Sequence, residues 1–234
     1  LPVIGEPLGA PDVYGKDRFF VHLRLGKDKK SDKRLSDLER AGHPVVTIPV
    51  ADRYDLGGQF FLWEMATAVA GWCLGINPFD QPDVESSKAL ARRMVDDYRI
   101  RGVLTREEPT LIDDGLLVFG ETPVQDAGKA LFSFIEEGMV DGLYVAIQAY
   151  LQQDPKNDRV LETLRLRLRD RFGVAVTVGY GPRFLHSTGQ LHKGDAGKGL
   201  CIQITADDGT DIPIPDDPDS SVSSVTFGIL KEAQ

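Results

Sequence analysis

The spacing of apolar and polar positions marks a strand early in the chain. Residues 19–25 alternate and are rich in aromatic and branched side chains (Phe19, Phe20, Val21, Leu23, Leu25), and Gly26 with the charge run at 27–34 ends them. A short helix is predicted over 31–41, with Leu35 and Leu38 inward and Ser31 or Asp32 as the N-cap. Val45, Val46, Ile48 and Val50 give a second strand at 45–50, and a strand–helix–strand order predicts a parallel, helix-covered sheet. From 57 to 74 apolar residues (Phe60, Phe61, Trp63, Met65, Val69, Trp72, Cys73) lie on every side of a helical wheel, which predicts a buried helix with Glu64 as its only charge. A turn-rich loop at 76–82 leads into a helix running to about residue 98. Pro82 suits its first position, and Asp83 and Glu85 suit its positive first turn.

Residues 101–110 are polar and read as a linker. Beyond them the pattern predicts a strand at 115–120, a helix at 127–137, a strand at 143–150 and an amphipathic helix at 157–172 carrying Val160, Leu161, Leu164 and Leu168. Strands follow at 174–180, 200–205 and 224–230, and the acidic, proline-rich stretch at 207–221 predicts an exposed excursion. The expected fold class is α/β, with parallel or mixed sheets covered by helices. We expect a domain at 1–100 and an additional α/β domain at 101–234 that holds a glycine-rich basic loop.

Composition narrows the function. The 234 residues suit one or two domains, at roughly 150 residues each. With 27 Lys and Arg against 36 Asp and Glu the net charge is −9, which argues against a nucleic-acid partner and leaves small phosphorylated ligands open. Two cysteines, Cys73 and Cys201, are too few for a disulfide framework and predict a reducing, cytoplasmic setting. No apolar stretch reaches the roughly 18 residues of a membrane helix, because Gln59 and Glu64 interrupt the longest run. The chain opens at Leu1 and stops at Gln234 inside a helix-like pattern, so a segment of a longer protein is expected.

Three stretches carry candidate chemistry. In the first, Lys88 follows Val84 at i, i+4 spacing, and an inward Val84 would lean the lysine toward buried surface. Burial would lower its pKa from about 10.4 toward the range of proton transfer. The alternative is an exposed lysine paired with Glu85 at i, i+3. The second stretch, 179–199, holds six glycines and gathers Arg183, His186, His192, Lys193 and Lys198 against one acid, Asp195. Backbone amides, the hydroxyls of Ser187 and Thr188, and these cations together suggest a phosphate site; a glycine-rich crossover with solvated charges is the bland alternative. Phe184 stands where a dinucleotide fingerprint needs glycine, and Asp195-Ala196 stands where a P-loop needs Lys-Ser or Lys-Thr. The two histidines lack a third clustered ligand, so no metal is expected. The third candidate, Glu64, would be a buried carboxylate with a raised pKa, or one member of a structural hydrogen-bonded pair. His22 and His43 have no constellation around them.

Leu56-Gly57, Glu64, Gly71 and the run Ile76-Asn77-Pro78-Phe79-Asp80-Gln81-Pro82-Asp83-Val84-Glu85-Ser86-Ser87-Lys88 resemble the C-terminal signature of glucose-6-phosphate isomerases, in which Phe-Asp-Gln-x-Gly-Val-Glu-x-x-Lys is characteristic. Asp83 replaces the usual glycine. The run from Gly181 to Gly194 resembles more narrowly the bifunctional bacterial proteins in which a transaldolase precedes such an isomerase. The resemblance implies an SIS-type α/β fold and interconversion of glucose 6-phosphate and fructose 6-phosphate through ring opening and a cis-enediol, without metal or other cofactor. It implies that Lys88 is the active-site lysine and that Gln81 lies near the substrate phosphate. The family's phosphosugar motif and its glutamate base have no match in this chain, so the segment alone is expected to be inactive or nearly so.

The substrate-site candidates are thus Lys88 as the catalytic residue, with Gln81, Arg183, His186, Ser187, Thr188, His192 and Lys193 around the sugar phosphate. The expected partner is a small-molecule sugar phosphate, with neither nucleic acid nor membrane, and homo-oligomer formation stays open. Two other readings compete: a non-catalytic phosphosugar-binding or regulatory module, and a packing domain after Arg101.

Overall fold

The computed structural model describes the chain apart from residues 28, 81, 105, 106 and 187, and the side chains of 82–84, 86, 87 and 186 also lie outside the description. The fold is α/β, with parallel and antiparallel strand pairs among helices. Two compact units divide it: Ile4–Gln81 with Leu166–Val174, and Leu1–Val3 with Pro82–Arg165 and Ala175–Gln234.

In the first unit, β1 (Phe20–Leu25), α1 (Asp32–Arg40) and β2 (Val45–Val50) form the expected strand–helix–strand. The strands pair in parallel from Phe20 with Val45 to Leu25 with Val50. α1 is amphipathic and buries Leu35 and Leu38. On the half-buried face of β1, Phe20 meets Tyr14 and His43 edge-on, at 5.0 and 5.5 Å between ring centres. The buried Arg169 guanidinium ties down the start of the unit. It pairs with Glu6 at 2.6 Å, donates to the Pro7 carbonyl at 2.9 Å and lies over the Tyr14 ring.

The opposite face of this sheet is apolar and open: Val21, Leu23, Leu25 and Val46 are all exposed. α2 (Leu56–Leu74) forms where expected and ends on Gly75 in the left-handed conformation, a common helix stop. The expectation that it is buried is overturned. Phe60, Phe61 and Trp72 are 63%, 66% and 82% exposed, and Glu64 faces solvent too. Only Gly71 is buried, against Pro78. The physical reason is a shortage of layers. Among the described residues of the unit, neither the β1–β2 pair, nor α1, nor the end of the helix at Pro155–Phe172 is laid along α2.

The second unit centres on a three-stranded parallel sheet in the order β6-β5-β7, formed by β5 (Tyr144–Tyr150), β6 (Ala175–Tyr180) and β7 (Gly199–Thr205). Val145, Ile147 and Ala149 of the central strand are at most 1% exposed, and Val176 is fully buried. A near-continuous apolar run is what a parallel strand covered on both faces requires. α5 (Pro155–Phe172) links β5 to β6; from Leu166 onward its residues belong to the first unit. α4 (Ala127–Glu137) begins at Asp126, whose carboxylate accepts from the Lys129 amide at 2.7 Å, and Gly138 behind it abuts Leu200 of β7.

α3 (Pro82–Arg101) packs on two short helices of the same unit, α6 (Gly189–Gly194) and α7 (Phe227–Ala233). Two expected strands differ in the structure. The one at 115–120 is the short β4 (Leu116–Val118), paired with β3 (Leu111–Asp113) across Asp114 and Gly115. Both turn residues have positive φ, as a tight hairpin turn demands. The strand expected at 224–230 survives only as β9 (Val225–Thr226), paired with β8 (Pro213–Ile214). The Thr226 hydroxyl caps the Ile229 amide at 3.2 Å and turns the rest into α7.

Candidate functional site

Lys88 sits early in α3, half exposed, with Nζ 2.9 Å from Glu85 Oε1. The expectation of an amine tucked against buried surface is therefore corrected. The i, i+3 pair along the open side of the helix satisfies the ammonium in water, and the lysine in turn holds the Glu85 carboxyl below the usual carboxylate range. Gln81 lies outside the described residues, as does the side chain of Val84 on which the inward reading depended.

The segment after β6 is also more ordered than a glycine loop. It makes a 3-10 turn at Arg183–His186, then α6, and enters β7 at Gly199. Its glycines serve close packing. A Cβ on Gly181 would come within 2.5 Å of the Tyr150 ring, and one on Gly179 within 2.7 Å of Phe184. The crossover thus presses onto one face of β5, where Tyr144 and Tyr150 project on the same side. A row of rings results: Tyr150 to Phe184 is 6.0 Å, Phe184 to His192 6.4 Å, and His192 to Tyr144 5.6 Å between centres.

The amides thought free for an external phosphate have an internal anion. Asp195 Oδ1 accepts from the Gly197 amide at 2.7 Å, and the Lys198 and Gly199 amides also bond to this carboxylate. Its Oδ2 accepts from Tyr144 Oη at 2.7 Å. Tyr144 first, then the backbone amides, holds the Asp195 carboxyl below the usual range. Burial, reinforced by Asp195, drives the Tyr144 phenol well above its ordinary value. His192 Nδ1 lies 3.2 Å from the same phenol oxygen. Burial pushes this imidazole below its usual range, and Asp195 offsets part of the effect.

The basic residues of the segment do not converge on one point. Arg183 bonds Gln153, just past the carboxyl end of β5, whereas His192 meets Tyr144 at the amino end of this seven-residue strand, which is about 20 Å long. Beside Arg183, Tyr180 Oη donates to Asp158 at 2.8 Å, and burial followed by that carboxylate pushes the phenol up to about 12. Lys193 is half-buried next to His192, and Thr188 precedes α6 without capping it through its side chain. The His186 side chain and Ser187 lie outside the described residues. The structure does bring two of the sequence stretches onto neighbouring elements: α3, with Lys88, packs on α6, with His192 and Lys193.

Tyr144 and Asp195 were not candidates in the sequence. Asp195 stood out only as the one acid among glycines and cations; Tyr144, 51 residues earlier, gave no signal beyond that of a strand residue. Among the described residues no three His, Cys, Asp or Glu side chains gather as metal ligands, and no helix is long and apolar enough to cross a membrane.

The chain is similar to glucose-6-phosphate isomerases. It is 38% identical over 91 residues to that of Streptococcus pyogenes serotype M18, covering 38% of this chain and 19% of the relative. To the glucose-6-phosphate isomerase of Heliobacterium modesticaldum it is 48% identical over 44 residues, 19% of this chain and 10% of the relative. The chain therefore spans about a fifth or less of the length of these curated relatives. No protein-family profile and no solved structure matches it.

Proposed function

We propose that this chain is part of a sugar-phosphate isomerase that interconverts glucose 6-phosphate and fructose 6-phosphate, within an SIS-type fold and a cytoplasmic setting. The similarity to glucose-6-phosphate isomerases supports the reaction class. One observation supports placing the site here: α3, the helix that carries Lys88, packs on α6, the helix that carries His192 and Lys193.

Moving a proton between C2 and C1 of an open-chain sugar needs a base and compensation for the charge that develops on oxygen. Lys88 supplies a cation whose pairing with Glu85 is a weak, solvent-screened surface contact, so a phosphorylated sugar can displace it. Lys193 adds a second cation on α6. Gln81 and Arg183 remain proposed contacts to the sugar phosphate, with His186, Ser187, Thr188 and His192. A transaldolase fused ahead of the isomerase is the proposed larger setting. No motif match supplies the glutamate base, so the chain by itself should bind substrate and turn it over little.

The test is titration of the purified chain with fructose 6-phosphate, followed by phosphorus NMR, beside a coupled assay for glucose 6-phosphate. Binding that weakens about tenfold or more in Lys88→Ala is expected, since a hydrogen bond to a charged group contributes about 1.5–3 kcal/mol. Absence of binding would remove the isomerase reading. Rapid turnover would place a general base inside this chain.

A further inference from the structure

The contacts around Tyr144 constrain where protons sit. A phenol has one proton to donate. Asp195 is an ionised acceptor, held so by Tyr144 and by the amides of residues 197–199, so the phenol proton lies on the 2.7 Å line to Oδ2. Tyr144 Oη then faces His192 Nδ1 at 3.2 Å with only lone pairs. Two lone pairs at that distance would repel, and a buried polar contact left unbonded is costly. The arrangement closes only if Nδ1 carries the hydrogen and donates it to Tyr144. In a neutral imidazole the lone pair is then on Nε2. Nε2 itself makes no hydrogen bond to a described residue.

We propose that Tyr144 and Asp195 are positioning residues that fix His192 as the Nδ1–H tautomer, so that Nε2 serves as a hydrogen-bond and proton acceptor for a sugar hydroxyl. The ligand assignment rests on the isomerase reading above; the proton arrangement does not. Partial burial keeps the ring neutral near pH 7, the state in which Nε2 can accept. Stacking on Tyr144, with the planes 29° apart, holds the ring's orientation. Gly199 is a requirement of the same design. A Cβ there would lie 2.4 Å from Tyr144 Oη and 2.8 Å from Asp195 Oδ2, so any side chain would push apart the two groups that set the tautomer. The sequence spacing hides this relay because its parts come from β5, α6 and the turn before β7.

Long-range proton–nitrogen NMR of the histidine rings in the full chain tests it. At neutral pH the wild-type His192 should show a protonated Nδ1 and a bare Nε2; a proton on Nε2 would overturn the relay. Tyr144→Phe keeps the stacked ring and removes the hydroxyl, so the signal should move to a mixture of tautomers. If the Nδ1–H form persists in that variant, Tyr144 is not its cause. His192→Asn retains a donor toward Tyr144 but has no Nε2, and should lower fructose 6-phosphate affinity about tenfold; unchanged affinity would refute the acceptor role. A correct tautomer with no binding of the sugar phosphate to wild type would instead overturn the ligand assignment and the isomerase reading with it.

Discussion

The two units build parallel strands from similar residues and bury them to very different degrees. Val145, Ile147 and Ala149 of β5 are sealed from water, while Val21, Leu23 and Leu25 of β1 lie open. The chemistry of the side chains compared does not account for this, since Val21, Leu23 and Leu25 are as apolar as Val145, Ile147 and Ala149. The number of layers does. β5 has a strand on each side, and the β6–β7 crossover lies on one of its faces; among the described residues β1 has one neighbour, and Val21, Leu23, Leu25 and Val46 on one face of its sheet are exposed. The contrast is sharpest at α2, which is apolar all round and exposed nearly all round.

The largest effect expected from this contrast is in the core. Ile147→Ala should lower unfolding stability by about 2–5 kcal/mol in a denaturant melt, whereas Leu23→Ala on the open face should change it by about 0.5 kcal/mol or less. A cost at Leu23 as large as that at Ile147 would mean that the open face is covered in solution. The next effect is at the strand entry that seats the Tyr144–Asp195 contact. Gly199→Ala should cost about 1–3 kcal/mol through overpacking, and near-neutrality would show that the contact yields easily. Removing the cap of α4 with Asp126→Ala should cost about 1 kcal/mol.

A pH series sharpens the view of the second unit. The His192 pKa is depressed in the folded chain, so the unfolded chain takes up its proton first; stability should decline as the pH falls below about 6.5. The depressed carboxyl of Asp195 contributes stability that is present above the ordinary carboxylate range and is lost as the pH falls through its lower folded value. The denaturation midpoint should therefore drop on acidification, and His192→Asn should flatten the upper part of that drop. The smallest signal is optical. Both tryptophans, Trp63 and Trp72, are on α2, so emission should be water-like and readily quenched by iodide. A blue-shifted emission would report a partner or second copy lying on this helix.

Much of the fold was legible because it follows from local periodicity. α1, β2, α3, α4 and β5 lie within a few residues of their predicted bounds. The strand expected at 224–230 failed because a single threonine cap outweighs β-prone composition over seven residues. The site was less legible. Arg183 and His192 are nine positions apart in sequence and face opposite ends of the same strand. The loop's amides are spent on Asp195, which sequence spacing could not show.

What the sequence determined by itself was the alternation of strands and helices, the parallel sense of β1 and β2, and the stretch at 179–199 where cations and glycines gather, all set by neighbours a few residues apart. Only the tertiary structure decided which apolar surfaces find cover, that Lys88 pairs with Glu85 at the surface, and that Tyr144 lies within hydrogen-bond distance of both His192 and Asp195. Coverage and proton placement depend on groups brought together across dozens of residues, where only the packing of the whole unit fixes distances to a few tenths of an ångström.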